Sequence, residues 1–279
     1  MKNLIFSALA LCCGTFLFAQ NFSSVNQTGI TNTSTVTQTG SNDSYVDQTG
    51  FFNLSAVDQT GAGNLSDVDQ IGNGNESDVD QDGDRNYQLT YQQGNGNDSE
   101  VIQICDDNIS YVVQIGNNHY SEVLQNGNNN FSYVQQTGAW NYSDVDQNGS
   151  NNVAWTFQNG LFNYSRIRVG LGPKIDDGNV TLVNQNGIGN ASFIDIWGSP
   201  NGSDNNFVNV NQNGTNNGAY TRINGDNNTA LVNQNGTSNY SESFQIGNSN
   251  YSSVTQLGLG HFSTETQIGN GNSSIVLQM

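Results

Sequence analysis

Glutamine recurs at positions 27, 38, 48, 59, 70, 81, 92, 103, 114, 125, 136, 147 and 158, at intervals of 11 except for one step of 10. The register resumes at Gln185 and Gln212 and runs on through Gln234, Gln245, Gln256, Gln267 and Gln278. Val169, Ile196 and Ile223 fill the missing anchors, which makes 23 units, 20 of them with Gln at the anchor. Asn stands six residues before the anchor in 21 units, with His119 and His261 as the exceptions. Val or Ile stands two before it in 18 of 23, Ser is the usual residue four before, and Gly follows two after in 20 of 22. The unit is N-x-S-x-V-x-Q-x-G-x-x.

Asn, Ser, Val and Gln are spaced by two, so on an extended strand all four point to one face. Gly and its neighbours then supply a turn, where positive φ is tolerated by Gly or Asn. Each unit predicts a strand of about six residues plus a tight turn, and two units make a coil of about 22 residues. The fold class is all-β: a β-solenoid of about 11–12 coils, roughly 55 Å long, with two short strands per coil and cross-β stacking. Stacking explains a polar interior. Amides placed over one another donate and accept in turn, whereas an isolated buried Gln would be costly. The expected core ladder includes Asn64, Ser66, Val68, Gln70, Asn75, Ser77, Val79 and Gln81. It continues through Gln103, Gln114, Gln125, Gln136 and Gln147, and later through Gln234, Gln245, Gln256 and Gln267. The expected turn glycines are Gly72, Gly83, Gly116, Gly127, Gly138 and Gly149.

Residues 1–19, with one charge at Lys2 and an apolar stretch from Leu4 to Phe18, read as a secretory signal peptide cleaved after Ala19. Its removal would leave Cys105 as the single cysteine, so no disulfide framework is expected. Residues 20–279 read as a single repeat domain with no transmembrane segment. Pro173 and Pro200 fall in the two places where anchors are 16 apart. Because proline cannot donate to a strand ladder, insertions are expected near 170–178 and 197–205. The formal charge of −18 makes nucleic acid and anionic membranes poor partners.

The residues one, three and five before each anchor point outward. Odd and even units occupy opposite sides of a two-strand coil. Odd units 7, 9, 11 and 13 present Tyr87, Leu89, Tyr91; Ile109, Tyr111, Val113; Phe131, Tyr133, Gln135; and Val153, Trp155, Phe157. The intervening even units carry an acidic column, Asp78, Glu100, Glu122 and Asp144, which ends at Arg166. The aromatic side, through Tyr87, Tyr91, Tyr111, Phe131, Tyr133, Trp155 and Phe157, is expected to make lateral contacts between fibrils or adhesive contacts. Ladder stabilisation alone is the competing explanation. Like charges about 5 Å apart in the acidic column would favour assembly at mildly acidic pH or with divalent cations, or else simply keep the chain soluble.

No catalytic, metal or cofactor site is expected. Asp78-Val79-Asp80-Gln81-Asp82-Gly83 resembles the start of a calcium loop, but the twelfth position is Leu89 and the run straddles a strand and a turn. His119 and His261 replace ladder asparagines, and no nucleophile–base constellation can be drawn from two such histidines. Cys105 occupies a turn-glycine slot.

The pattern closely resembles the curlin repeat of bacterial curli subunits, shown well by Asn64, Ser66, Val68, Gln70, Gly72, Asn75, Ser77, Val79 and Gln81. The resemblance spans essentially residues 21–278. It implies a secreted, non-enzymatic β-solenoid that polymerises end to end with itself into extracellular functional amyloid at the bacterial cell surface. Such fibres serve biofilm matrix, adhesion and cell aggregation. The resemblance also implies a nucleator and an outer-membrane export channel as partners. Here the repeat begins at Asn21 rather than after a non-repetitive export segment, and it has far more strands than the usual subunit. The alternative reading is a monomeric solenoid adhesin that binds a surface or polysaccharide through its aromatic side.

Overall fold

A computed structural model describes residues 20–170, 176–197 and 202–279. The expected signal peptide, Pro173 and Pro200 lie outside the described residues. Among those described there are 21 strands and no helix. They begin with β1 (Phe22–Ile30), β2 (Thr33–Phe51), β3 (Leu54–Asn73), β4 (Glu76–Asp82), β5 (Tyr87–Asn95), β6 (Asp98–Ile104) and β7 (Ile109–Asn117). Next come β8 (Tyr120–Asn126), β9 (Phe131–Ala139), β10 (Tyr142–Asn148), β11 (Val153–Leu161), β12 (Tyr164–Val169), β13 (Val180–Ile188) and β14 (Ala191–Ile196). The last are β15 (Phe207–Thr215), β16 (Gly218–Asn224), β17 (Thr229–Thr237), β18 (Tyr240–Ile246), β19 (Tyr251–Leu259), β20 (Phe262–Ile268) and β21 (Ser273–Gln278). Strands β2 and β3 each run on through a bend and carry two repeat units, so these strands hold all the units of the sequence.

All pairing is parallel, and from β3 onward each strand pairs with the next but one, as β5 with β7 and β8 with β10. The chain therefore winds as a β-solenoid. The odd units form one parallel sheet, called here the first sheet, and the even units form the second. Register is strict: Gln92 lies beside Gln114, Val112 beside Val134, and Asp144 beside Arg166. Across the two insertions the partners are 27 residues apart instead of 22, as Gln158 to Gln185 against Gln136 to Gln158, and the ladder continues.

The inward rows bury both apolar and polar side chains. Val68, Val79, Val101, Val112 and Val123 are fully buried, and so are Gln70, Gln81, Gln92 and Gln103. The serine row does not depend on the hydroxyl, because Ala154, Val208, Ala219 and Ala230 take equivalent buried positions.

Strands differ from the expected six residues. From β5 on, those of the first sheet span nine residues and run past the glycine to residues such as Leu161, except for β21, which ends the described chain; those of the second span six or seven. The glycine is not simply a tight-turn residue. A Cβ on Gly72 would lie 1.9 Å from the carbonyl oxygen of Gly94 in the next coil, so the backbones approach too closely for any side chain. The left-handed residue comes two positions later and is often not glycine: Asn118 (φ 55°), Asn129 (φ 58°) and even Trp140 (φ 58°) and Phe162 (φ 57°). Closely stacked coils over-determine that conformation, which a bulky residue would not choose in isolation.

Candidate assembly and contact surfaces

The first sheet carries an unbroken amide ladder. Each anchor Gln donates from Nε2 to Oε1 of the Gln one coil on, from Gln27 through Gln48, Gln70, Gln92, Gln114 and Gln136 to Gln158, at 2.6–2.9 Å. It continues through Gln185, Gln212, Gln234 and Gln256 to Gln278 at 2.8–2.9 Å. The second N–H of the same amide crosses to the other sheet, as Gln70 does to the Leu54 carbonyl at 2.9 Å and Gln136 to that of Tyr120 at 2.8 Å. Both donors are thus satisfied, and every bond along the ladder points the same way.

The asparagine row works differently. Asn75 Nδ2 donates to the Gly94 carbonyl at 3.0 Å, while its Oδ1 accepts the backbone N–H of Asn97 at 3.1 Å. Asparagine therefore clamps the backbone of neighbouring coils at the bend. His119 reproduces half of this clamp: its Nδ1 accepts the Asn141 N–H at 3.3 Å and Nε2 faces the Ile115 carbonyl at 3.3 Å. That pairing requires the tautomer with hydrogen on Nε2, and burial lowers the pKa of the imidazole. His261 likewise places Nε2 2.8 Å from the Leu257 carbonyl. Cys105 is a free, exposed thiol at φ 74°.

In the second sheet the ladder runs from Gln38 through Gln59, Gln81, Gln103 and Gln125 to Gln147, then breaks. Val169, Ile196 and Ile223 occupy the next anchors and are fully buried or nearly so, before Gln245 donates to Gln267 at 2.9 Å. Gln245 Oε1 consequently lacks a donor among the described residues, because Ile223 stands where the preceding Gln would be. Just outside this apolar stretch, charge alternates from coil to coil: Asp146, Arg168, Asp195, Arg222. Asp195 is buried and accepts from Arg168 Nε at 3.0 Å and from the Tyr220 hydroxyl at 3.1 Å, with Arg166 at 3.9 Å. The opposite charges of this column were readable one residue before the even anchors, but only after the apolar anchors had been placed in register.

The outer faces of the two sheets carry different rows of side chains between Tyr87 and Arg166. On the first sheet, rings stand over one another along the axis: Tyr87 and Tyr111 at 5.5 Å, Tyr111 and Tyr133 at 6.2 Å, Tyr133 and Trp155 at 5.5 Å. Phe131 lies 5.1 Å from Trp155, and Phe157 lies 5.5 Å from Tyr133. Tyr91 stands apart from these ring contacts and donates to Gln93 Oε1 at 3.2 Å. The band is half-buried by its own members. The second sheet places Asp78, Glu100, Glu122 and Asp144 in successive coils. Burial and then Glu122 raise the pKa of Glu100 and of Asp144. Burial and neighbouring Glu76 and Glu100 push Asp98 up to about 6, and burial with Asp144 pushes Asp146 up to about 6. Flanking this column is a second aromatic stack that a division into one aromatic and one acidic side had overlooked: Tyr120, Tyr142 and Tyr164, at 4.9 and 4.8 Å with nearly parallel rings.

Asp78, Asp80 and Asp82 alternate along the extended β4 instead of converging as a loop would, and no group of three or more acidic, histidine or cysteine side chains able to hold a metal forms among the described residues. No helix among them is long and apolar enough to cross a membrane.

The family model of the curlin associated repeat matches residues 41–72 and 225–258. Two stretches of the chain are thus similar to the curlin associated repeat. One match covers the second half of β2 and nearly all of β3, the other covers β17, β18 and nearly all of β19, and strands outside both matches pair in the same 22-residue register. A comparison with curated proteins found no match.

Proposed function

We propose that this chain is a secreted structural subunit that self-assembles end to end into extracellular curli-like amyloid fibres, serving biofilm matrix, adhesion and cell aggregation. One observation carries the reading: the first-sheet ladder is continuous from Gln27 to Gln278, and every bond in it has the same direction. A coil therefore offers acceptors on one side and donors on the other, in the same register that the next coil uses. The flanking strands keep that inner row open, since Val25 is 47% exposed where the equivalent Val46 is 1% exposed. A second copy laid on such a row extends both the backbone and the amide ladders, which is the template logic of a sheet edge. The family resemblance supports a non-enzymatic role, export across the outer membrane and a nucleating partner. The proposed signal peptide (1–19) and single repeat domain (20–279) fit that route.

The aromatic band from Tyr87 to Phe157 is proposed as the lateral contact between fibrils, and the acidic column as the feature that makes assembly sensitive to pH and cations. Incubation of the mature protein, followed by thioflavin fluorescence and electron microscopy, tests the proposal. Fibres one solenoid wide, with a 4.8 Å axial reflection, are expected. A protein that stays monomeric at high concentration would overturn it in favour of the adhesin reading.

A further inference from the structure

The second sheet carries a cleft of about 290 Å³ along its outer face, lined by Arg222, Asn224, Phe244, Gln245, Ile246 and Thr266. We infer that this cleft binds a carboxylated sugar, the chemistry of a uronic acid residue in a polysaccharide.

Three observations lead there. The first concerns charge. Arg85 pairs with Asp107 at 2.7 Å, and Arg166 and Arg168 share Asp195, but Arg222 has no carboxylate at ion-pair distance among the described residues. Asp195, its neighbour in the register, is taken by Arg168 and the Tyr220 hydroxyl, so the Arg222 guanidinium is left without an ion-pair partner on a chain of charge −18. Its planar fork matches a carboxylate through two parallel hydrogen bonds. The second is its support. The guanidinium carbon lies 4.2 Å from the centre of the Trp197 ring, which holds the side chain in place at the head of the cleft. The third is the order of the lining. Arg222 and Asn224 lie on β16, Phe244 and Ile246 follow one coil on in β18, and Thr266 follows in β20. Parallel strands stack about 4.8 Å apart. A linear ligand lying along the solenoid axis therefore meets a cation and an amide, then an aromatic ring, then a hydroxyl.

That sequence suits a pyranose acid. The carboxylate takes Arg222, the apolar C–H face takes the Phe244 ring, and hydroxyls take Asn224 and Thr266. Apolar walls with a few placed polar groups are the usual make-up of a small-ligand site. Nucleic acid fits less well, because one guanidinium neutralises one phosphate while the rest of the surface repels the chain. The cleft lies on the second sheet, away from the aromatic band. Its lining comes from one chain, so titration of the monomer tests it separately from fibre formation.

Calorimetric titration of the mature protein with trigalacturonate, and with the fully methyl-esterified trimer as the uncharged control, tests the assignment. Saturable binding of the acid is expected, with about a tenfold or greater loss on esterification and a similar loss in Arg222→Gln. Arg222→Lys should retain part of the affinity, and Phe244→Ser should weaken binding of the acid. Circular dichroism that matches the parent establishes that each variant is folded, and Phe244→Ser remains informative if Arg222→Gln is not. Equal binding of acid and ester, parent-like affinity in folded Arg222→Gln, or no binding of the acid would each overturn the inference. Single-stranded DNA or inorganic phosphate that competed as well as the uronate would also overturn it.

Discussion

The two sheets hold the same fold in register by different means. The first uses a single device throughout: identical amides, each bonded to the one above, from Gln27 to Gln278. Nothing in that column distinguishes one coil from the next, so a slip of a whole coil would satisfy it equally. The second sheet abandons the device at Val169, Ile196 and Ile223 and replaces it with an apolar core and an outward column of alternating charge. A slip there would set Asp195 beside Asp146 or Arg168 beside Arg222. Uniform ladders supply stacking, and the mixed segment supplies a unique alignment.

The largest effect is expected from the element both sheets share. Gly94→Ala would set a Cβ 1.8 Å from the Gly116 carbonyl oxygen, at φ +127°. The loss should reach about 4 kcal/mol or more, read as local unfolding by hydrogen exchange. Parent-like protection in β5 and β7 would show that the coils can separate there at little cost.

Next in size is the contrast between the ladders. Gln136→Leu leaves the Gln114 donor, the Gln158 acceptor and the Tyr120 carbonyl without their bonds. It should cost about 2–3 kcal/mol in denaturant unfolding. In the second sheet Ile196→Gln alone buries an amide between two aliphatic neighbours and should also destabilise. The triple change Val169→Gln, Ile196→Gln and Ile223→Gln completes a ladder from Gln147 to Gln245 and should recover much of that loss. Additive effects of the three changes would break the distinction between the sheets.

The outer faces differ too. Changing Tyr111, Tyr133 and Trp155 together to Ser removes ring contacts worth about 0.5–1.5 kcal/mol each. Single fibrils should persist while bundles disappear in electron micrographs. Bundles of parent width would remove the lateral role of the aromatic band.

The smallest effect is expected from pH, and it belongs to the second sheet. Burial pushes Asp98 and Asp146 up to about 6, and pushes Asp176, which stands in that sheet's turn column, up to about 7. An unfolded aspartate titrates near 3.8. The stability these groups contribute is therefore full below that value and is lost as pH rises through 6 to 7. Their partial exposure keeps the change modest. Unfolding midpoints should fall between pH 4 and 8, and calcium at pH 8 should restore part of the loss. The slope should flatten in a chain carrying Asp98→Asn and Asp146→Asn, and an unaltered slope would place the pH sensitivity elsewhere.

Much of this was legible because each row of the repeat has one job. The spacing of Asn64, Ser66, Val68 and Gln70 told which face is inside, and the separation of odd from even units placed Asp144 beside Arg166. Other features left no trace in a single unit. The glycine requirement at Gly72 arises from the coil above it, and the left-handed backbone at Trp140 and Phe162 is imposed on residues that would not choose it. The meeting of Arg222 with Trp197 depends on the path beside an insertion, where the 11-residue spacing stops being a guide.

The one-way hydrogen bonding of the first sheet also has an electrical consequence. Dipoles of backbone peptides in a strand alternate and largely cancel. The side-chain amides from Gln27 to Gln256 do not alternate, since each aims its N–H at the next coil. Their dipoles add along the solenoid axis, giving the molecule a permanent axial moment that lengthens with every copy stacked on it. Two such rods lying side by side lower their energy when they run in opposite directions, so a bundle is expected to contain fibrils of both orientations.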